Sequence, residues 1–210
     1  MLIVSSHPLI ARDLSTLRDR STRSDAFRLA LRRVSQLLAA EATVQLALEK
    51  RLVDTPLETT EGWTLARPVI LVPVLRAGLG MVDAFLDIIP EAHVGHIGLY
   101  RDEETLQPVE YYAKYPAALS EADVFILDPM LATGGSAAAA ADILKRQGTQ
   151  HIRLVTLIAA PEGVRRMEEA HPDIIIHTAG LDRGLNEKGY IVPGLGDAGD
   201  RVFGTGQAGA

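Results

Sequence analysis

Apolar residues recur along this chain in two rhythms, one suited to helices and one to buried strands. Between residues 24 and 50, Phe27, Leu31, Val34, Leu38 and Ala42 are spaced by three and four, which lays them along one face of a helix. Arg28, Arg32 and Arg33 fall between them and are expected to be solvated or to meet a partner subunit. Pro8 opens an earlier helix ending near Arg18, because a proline's missing N–H is harmless in a first turn. Leu2, Ile3 and Val4 suit an edge strand. Residues 69–74, 93–100, 124–127, 153–159 and 173–177 are short apolar runs that read as strands. Helical stretches ending near Ile88, Lys145 and Ala170 alternate with them, the last opened by Pro161. Residues 54–63, with Pro56 and paired threonines, read as turn and short strand. The alternation predicts an α/β fold with a mostly parallel sheet flanked by helices. One unit is expected over residues 1–210: N-terminal helices and short strands (1–67), a core (68–180) and a C-terminal segment (181–210).

Two stretches break the rhythm. Residues 101–116 are polar and acidic and lack periodicity, which predicts a long loop of the kind that is often functional. Residues 182–204 are rich in glycine and carry no helical pattern. Gly194, Gly196 and Gly199 match the spacing of a dinucleotide fingerprint, but the strand, helix and distant acid that the fingerprint needs are missing.

Composition narrows the chemistry. The 210 residues contain no cysteine, which removes disulfides, thiolate nucleophiles and Cys-based zinc sites. A net charge of −6 argues against a nucleic-acid partner held on a broad basic surface. No apolar run approaches the roughly 18 residues of a membrane span, and the first residues lack the pattern of a signal peptide. A cytoplasmic protein without membrane contact is expected. The six histidines form no convincing site: His93 and His96 fall on opposite faces of a strand. The motifs of zinc hydrolases, P-loop NTPases and α/β-hydrolases are absent.

What remains points to anions. After the strand of residues 124–127 come Asp128, Pro129, Met130, Leu131, Ala132, Thr133, Gly134, Gly135 and Ser136, then an Ala-rich helix. A strand, a small Gly-containing loop and a helix start together offer free N–H groups and a positive dipole end to a phosphate. Thr133 and Ser136 can add hydroxyl donors, and Asp128 an acceptor. A plain turn capped by Thr133 or Ser136 would look the same in isolation. Arg76, between a strand end and Gly78 and Gly80, suggests a second anion subsite, unless it is a surface arginine. Arg101, ending another strand, could neutralise a leaving phosphate or pair with Asp102, Glu103 or Glu104. The Gly-rich backbone near Asp197 could lie against a planar base.

With those residues assembled, the chain resembles uracil phosphoribosyltransferases over nearly its full length. The resemblance is carried by residues 72–81 (VPVLRAGLGM), 100–106 (YRDEETL), 128–136 (DPMLATGGS) and 184–204, with Glu41-Ala42-Thr43 and residues 160–163 in support. Ala40 departs from the aromatic usual before Glu41. Many phosphoribosyltransferases carry two adjacent acids where this chain has Asp128 and Pro129, the variant shared by the uracil enzymes. The resemblance implies transfer of phosphoribose from 5-phosphoribosyl-1-diphosphate to uracil, with Mg²⁺ held mainly through the substrate. It assigns residues 128–136 to the ribose hydroxyls and 5-phosphate, Arg76 and Arg101 to diphosphate, and Ile191, Gly196, Asp197 and Ala198 to uracil. Asp197 would also face the diphosphate substrate and its Mg²⁺. It further implies a homodimer or larger homo-oligomer, and GTP as a candidate activator. The alternative from another class is a non-catalytic module that binds phosphoribosyl diphosphate or UMP and regulates transcripts.

Overall fold

The computed structural model describes residues 1–101 and 108–205, with the backbone alone for residues 99–101 and 108–110. Strand β1 (Leu2–Val4) leads into helices α1 (Pro8–Arg18) and α2 (Ser24–Thr43), then a hairpin of β2 (Leu48–Asp54) and β3 (Thr59–Leu65). Next come β4 (Val69–Leu75), α3 (Leu79–Ile88), the two-residue β5 (His93–Val94), β6 (His96–Arg101) and β7 (Pro108–Lys114). A short 3-10 turn precedes β8 (Asp123–Leu127), which is followed by β9 (Met130–Leu131), α4 (Gly135–Arg146), β10 (His151–Ala159) and α5 (Pro161–Ala170). The chain closes with β11 (Ile175–Leu181), β12 (Gly184–Leu185), β13 (Ile191–Val192) and α6 (Ala198–Phe203).

Among the described residues the main sheet runs β1-β11-β10-β8-β4-β6-β7, with β5 and β9 as short additions. Every pairing is parallel except that of β6 with β7. Side chains alternate between two cores. Phe125 and Leu127 join the side chains of α1, α2 and α3, while Val124 and Ile126 join those of α4 and α5. A strand covered on both faces reads as continuous apolar sequence, which is why the central strands were visible as unbroken runs.

The strand order fixes where a ligand goes. From β4 the chain moves outward to β6; from β8 it moves the opposite way, to β10 and then β11. The loops after β4 and β8 therefore diverge, leaving a crevice at the carboxyl ends of two neighbouring strands.

Three expectations need correction. Helix α2 ends at Thr43, and the residues expected to continue it to 50 instead enter β2, which pairs with β3 along their whole length. The apolar spacing stops at Ala42, so nothing holds a further turn against the core. The arginines of α2 are solvent-exposed as expected, and they also have partners within the chain: Arg28 donates to Val202 O at 2.9 Å, and Arg32 to Asp87 at 2.7 Å. Arg33 grips Asp13 through two bonds of 2.8 and 2.9 Å. Half of the expected loop 101–116 is β7, antiparallel to β6; its Val109, Tyr111 and Tyr112 favour strand. Residues 102–107 lie outside the described residues. Finally, residues 182–204 contain α6, a helix too short to leave a periodic trace.

Asp13 ties α1 to α2. Its side chain is only 2% exposed, and bonding from Arg33, then Arg12, holds its carboxyl down to about 2 despite burial. The folded value lies below the ordinary one, so the stabilisation is present above about pH 4 and is lost as pH falls toward 2. Asp13→Asn is expected to cost about 1–2 kcal/mol at pH 7, a fall of several degrees in Tm. The variant should also lose less stability than the parent between pH 4 and 2. Thermal melts at both pH values check this.

Candidate active site

Two clefts meet at the crevice and share Ala77, Asp128, Met130 and Ala132. The smaller, about 240 Å³, is walled by the end of β4 with Arg76 and by the loop of residues 130–136. The larger, about 360 Å³, runs on to Ile191, Gly196, Asp197 and Ala198. The sequence-derived residues Arg76, Asp128, Met130, Leu131, Ala132, Thr133, Gly134, Gly135, Ser136, Ile191, Gly196, Asp197 and Ala198 all line one cleft or the other. Pro129 is buried behind the loop, and its carbonyl accepts from Leu157 and Ile158 N–H at 3.1 and 3.2 Å. It sets the loop rather than lining it. Arg101 ends β6, and its side chain lies outside the described residues.

The small cleft lies at the start of α4. Strand β8 is buried end to end, and β9 pairs with β10 at Ile158 and Ala159, which holds the loop against the sheet. Gly134 caps α4 in a left-handed conformation, φ +75°, with no side-chain cap. The conformation suits glycine alone, and an added Cβ would press to 2.8 Å from Gly163 O. The simple capping reading of Thr133 or Ser136 is thereby overturned. Ala138 N–H closes the first helical bond, onto Gly134 O. The N–H groups of Gly135, Ser136 and Ala137 are then the free donors of the helix start, and all three residues line the cleft. Opposite them Arg76 is largely solvated, 62% exposed, with Asp200 Oδ1 at 3.6 Å. The Leu75–Arg76 and Val192–Pro193 peptide bonds are cis.

Asp128 sits at the junction. One oxygen accepts from Met130 N–H at 3.3 Å. Burial pushes its carboxyl up to about 6, against a smaller lowering by that bond. A carboxylate short of donors at the point where two clefts meet is ready to receive hydroxyl groups. Asp197 caps α6, accepting from Asp200 N–H at 2.9 Å, so it combines a structural bond with a place on the cleft wall.

The large cleft also contains Lys188, Gly189 and Tyr190, which the sequence reading did not single out. Asn186 Oδ1 accepts from Lys188 and Tyr190 N–H at 3.0 and 2.9 Å, folding a turn that carries these residues over the cleft. Their nearness to Ile191 was the available signal.

The family model described as uracil phosphoribosyltransferase matches residues 4–205. A protein named uracil phosphoribosyltransferase from Roseiflexus castenholzii is 56% identical over 205 residues, covering 98% of this chain and 99% of that one. The solved AQ2163 protein from Aquifex aeolicus superposes with a TM-score of 0.93 at 38% identity, covering 99% of this chain and all of that one. A Trypanosoma cruzi hypoxanthine phosphoribosyltransferase is similar in fold alone, with a TM-score of 0.53 at 13% identity over 75% of this chain and 76% of that one. Matched by the family model from residue 4 to residue 205 and 56% identical to a relative of that name, this chain, with its two clefts joined at Asp128, belongs to the uracil phosphoribosyltransferase family.

Proposed function

We propose that the protein transfers the phosphoribosyl group of 5-phosphoribosyl-1-diphosphate to uracil, giving UMP and diphosphate. The observation that carries this reading is the junction itself: the cleft at the start of α4 and the cleft beside residues 196–198 share one carboxylate, Asp128. The bond from ribose C1 to the diphosphate oxygen breaks, uracil N1 bonds to C1, and the N1 proton leaves. Positive charge develops on the sugar and negative charge on the departing oxygens, where Arg76 and Arg101 stabilise it. The loop of residues 130–136 holds the 5-phosphate, and Asp128 accepts from the ribose hydroxyls. Much of the rate then comes from orientation.

Uracil lies in the larger cleft against the backbone of Ile191 and of residues 196–198. A backbone N–H facing the 4-oxygen cannot also accept the amino group of cytosine, and a buried unpaired donor costs roughly 1–3 kcal/mol. Asp197 faces the diphosphate substrate. Asp197→Asn keeps the helix cap, since asparagine caps as well as aspartate, but removes the charge. A kcat lowered at least tenfold with Tm unchanged is expected; a collapse in Tm would make the residue structural.

Among the described residues no group of three His, Asp or Glu side chains can cage a metal ion. Mg²⁺ keeps much of its coordination for substrate phosphates and water. When bound with the diphosphate, the ion neutralises part of the leaving group's charge. Asp197 and Asp128, the carboxylates on the cleft walls, would hold it there. GTP, a candidate activator by the family resemblance, is tested by the rate with and without it. No described helix is long and apolar enough to cross a membrane, which suits a cytoplasmic enzyme.

A homo-oligomer completes the reading, and its support is the β2–β3 hairpin rather than the arginines of α2. Among the described residues the hairpin pairs only with itself, and it exposes Leu48, Leu52, Leu57 and Trp63, Leu57 at 96%. A lone two-stranded hairpin is marginal in water, and clustered exposed apolar residues mark contact surfaces. A second copy covering them resolves both points. The double variant Leu52→Asp, Trp63→Ser should weaken self-association at least tenfold by sedimentation while leaving the core fold intact. The single unit over residues 1–210 belongs to the same proposal.

The deciding experiment incubates the protein with Mg²⁺, phosphoribosyl diphosphate and, in turn, uracil, cytosine, hypoxanthine and orotate. UMP from uracil alone is expected. Binding without turnover would replace this reading with that of a regulatory module.

A further inference from the structure

The base-side segment is held from outside the cleft. Arg18, the last residue of α1, forms an ion pair with Asp182 just after β11, through bonds of 2.9 and 2.5 Å. The pair is well covered, with Asp182 4% and Arg18 26% exposed. It also encloses one residue of the glycine-rich segment. Asp182 Oδ2 accepts from Gly194 N–H at 2.8 Å, and Arg18 Nη1 donates to Gly194 O at 2.9 Å. Both backbone groups of Gly194 are thus satisfied by the two halves of one ion pair. The next carbonyl, Leu195 O, accepts from Arg201 Nη1 at 2.9 Å. The Arg201 guanidinium also donates to Leu17 O, and to Asp19 O at 2.7 Å. It lies over the Phe27 ring, 4.4 Å from the centroid.

Arg18 directly, and Arg201 bridging from Leu17 and Asp19, thus link the end of α1 to two consecutive residues of the segment, Gly194 and Leu195. None of Arg18, Asp182 and Arg201 lines the clefts. The segment needs such anchoring. Gly194 has φ +67° and Gly196 φ +78°, a conformation glycine reaches easily but leaves as easily. Backbone donors discriminate between bases only when their directions are fixed before the base arrives. Two side-chain forks gripping residues 194 and 195 supply that order directly before residues 196–198.

Resting on the reading of residues 196–198 as uracil-facing, we propose that Arg18, Asp182 and Arg201 are positioning residues for base recognition. They make the end of α1 the support on which uracil affinity depends.

Arg18→Lys and Asp182→Asn test this in the full-length enzyme. Lysine keeps the charge but cannot bridge carboxylate and carbonyl with a planar fork. Each variant should raise KM for uracil by about 10- to 100-fold, with kcat at saturating uracil within about threefold of the parent. Calorimetric affinity for phosphoribosyl diphosphate without uracil should change less than twofold. The double variant should be no worse than the poorer single one, because both break one device. Arg201→Lys, which spares the ion pair, gives an independent reading if Asp182→Asn folds poorly. A uracil KM within twofold of the parent in folded variants overturns the inference, as does an equal loss of affinity for both substrates. A parent enzyme that fails to convert uracil overturns the proposed function instead.

Discussion

Replacing Asp128 with asparagine is expected to lower kcat/KM for phosphoribosyl diphosphate by about 10²-fold or more, while making the folded chain more stable above pH 6. The rate loss follows from exchanging a carboxylate for an amide opposite two ribose hydroxyls. A hydrogen bond to a charged group contributes about 1.5–3 kcal/mol, so weakening two of them reaches that scale. The stability gain follows from burial. In the folded chain the carboxyl is pushed up to about 6, against an ordinary 3.8. Between those values the folded state binds more protons than the unfolded one, so stability falls as pH rises and the penalty is complete above about pH 6. Removing the ionisation relieves it, by on the order of 1–3 kcal/mol for a shift of about two units. The gain should be present at pH 8 and absent below about pH 4. The parent's kcat/KM should drop toward tenfold per pH unit below 6, and the variant's profile should lack that limb. A variant that melts lower and keeps its rate would make Asp128 a structural residue.

What the sequence made legible was local. The loop of residues 128–136 lies within one short span between a buried strand and a helix, so apolar run, small residues and strand-end acid could be read together. Arg76 was readable for the same reason. The meeting of the two loops was not, because it depends on the order β10-β8-β4-β6, which residue spacing does not encode. The family resemblance supplied that juxtaposition. The partners of α2 were hidden because they lie far off in the chain: Arg28 bonds a carbonyl 174 positions away. The Arg18–Asp182 pair spans 164 positions and connects two stretches that looked unrelated. Of the β2–β3 hairpin, the turn and second strand were legible in residues 54–63, but β2 was missed because nearly all its residues face solvent, so no buried face imposed an alternating pattern. Helix α6 escaped because six residues are too few to show a period. The raised value of Asp128 was equally out of reach, since it comes from enclosure that exists only once both cleft walls are in place.

Arg76→Ala is expected to lower kcat by about 10²–10³-fold, the scale for losing one donor that acts on transition-state charge, with Tm within about a degree of the parent. The structure separates the two effects. Arg76 follows β4, whose residues are buried or nearly so, but its own side chain is mostly solvated and its ion pair with Asp200 is 3.6 Å long. An exposed pair of that kind contributes little stability, so truncation leaves neither a cavity nor a buried orphan charge. Asp200 provides the control. Its carboxylate also accepts from Thr205 Oγ1 at 2.6 Å, and asparagine retains an acceptor there. Asp200→Asn removes the anion that competes with diphosphate for Arg76, so affinity for phosphoribosyl diphosphate should rise by about two- to fivefold, on the scale of a surface pair. Combined with Arg76→Ala it should have no effect on that affinity, because the arginine it acts through is gone. Arg101→Ala should fall on the same kcat scale as Arg76→Ala if both neutralise the leaving group. A loss confined to one of them would assign the diphosphate to that arginine alone.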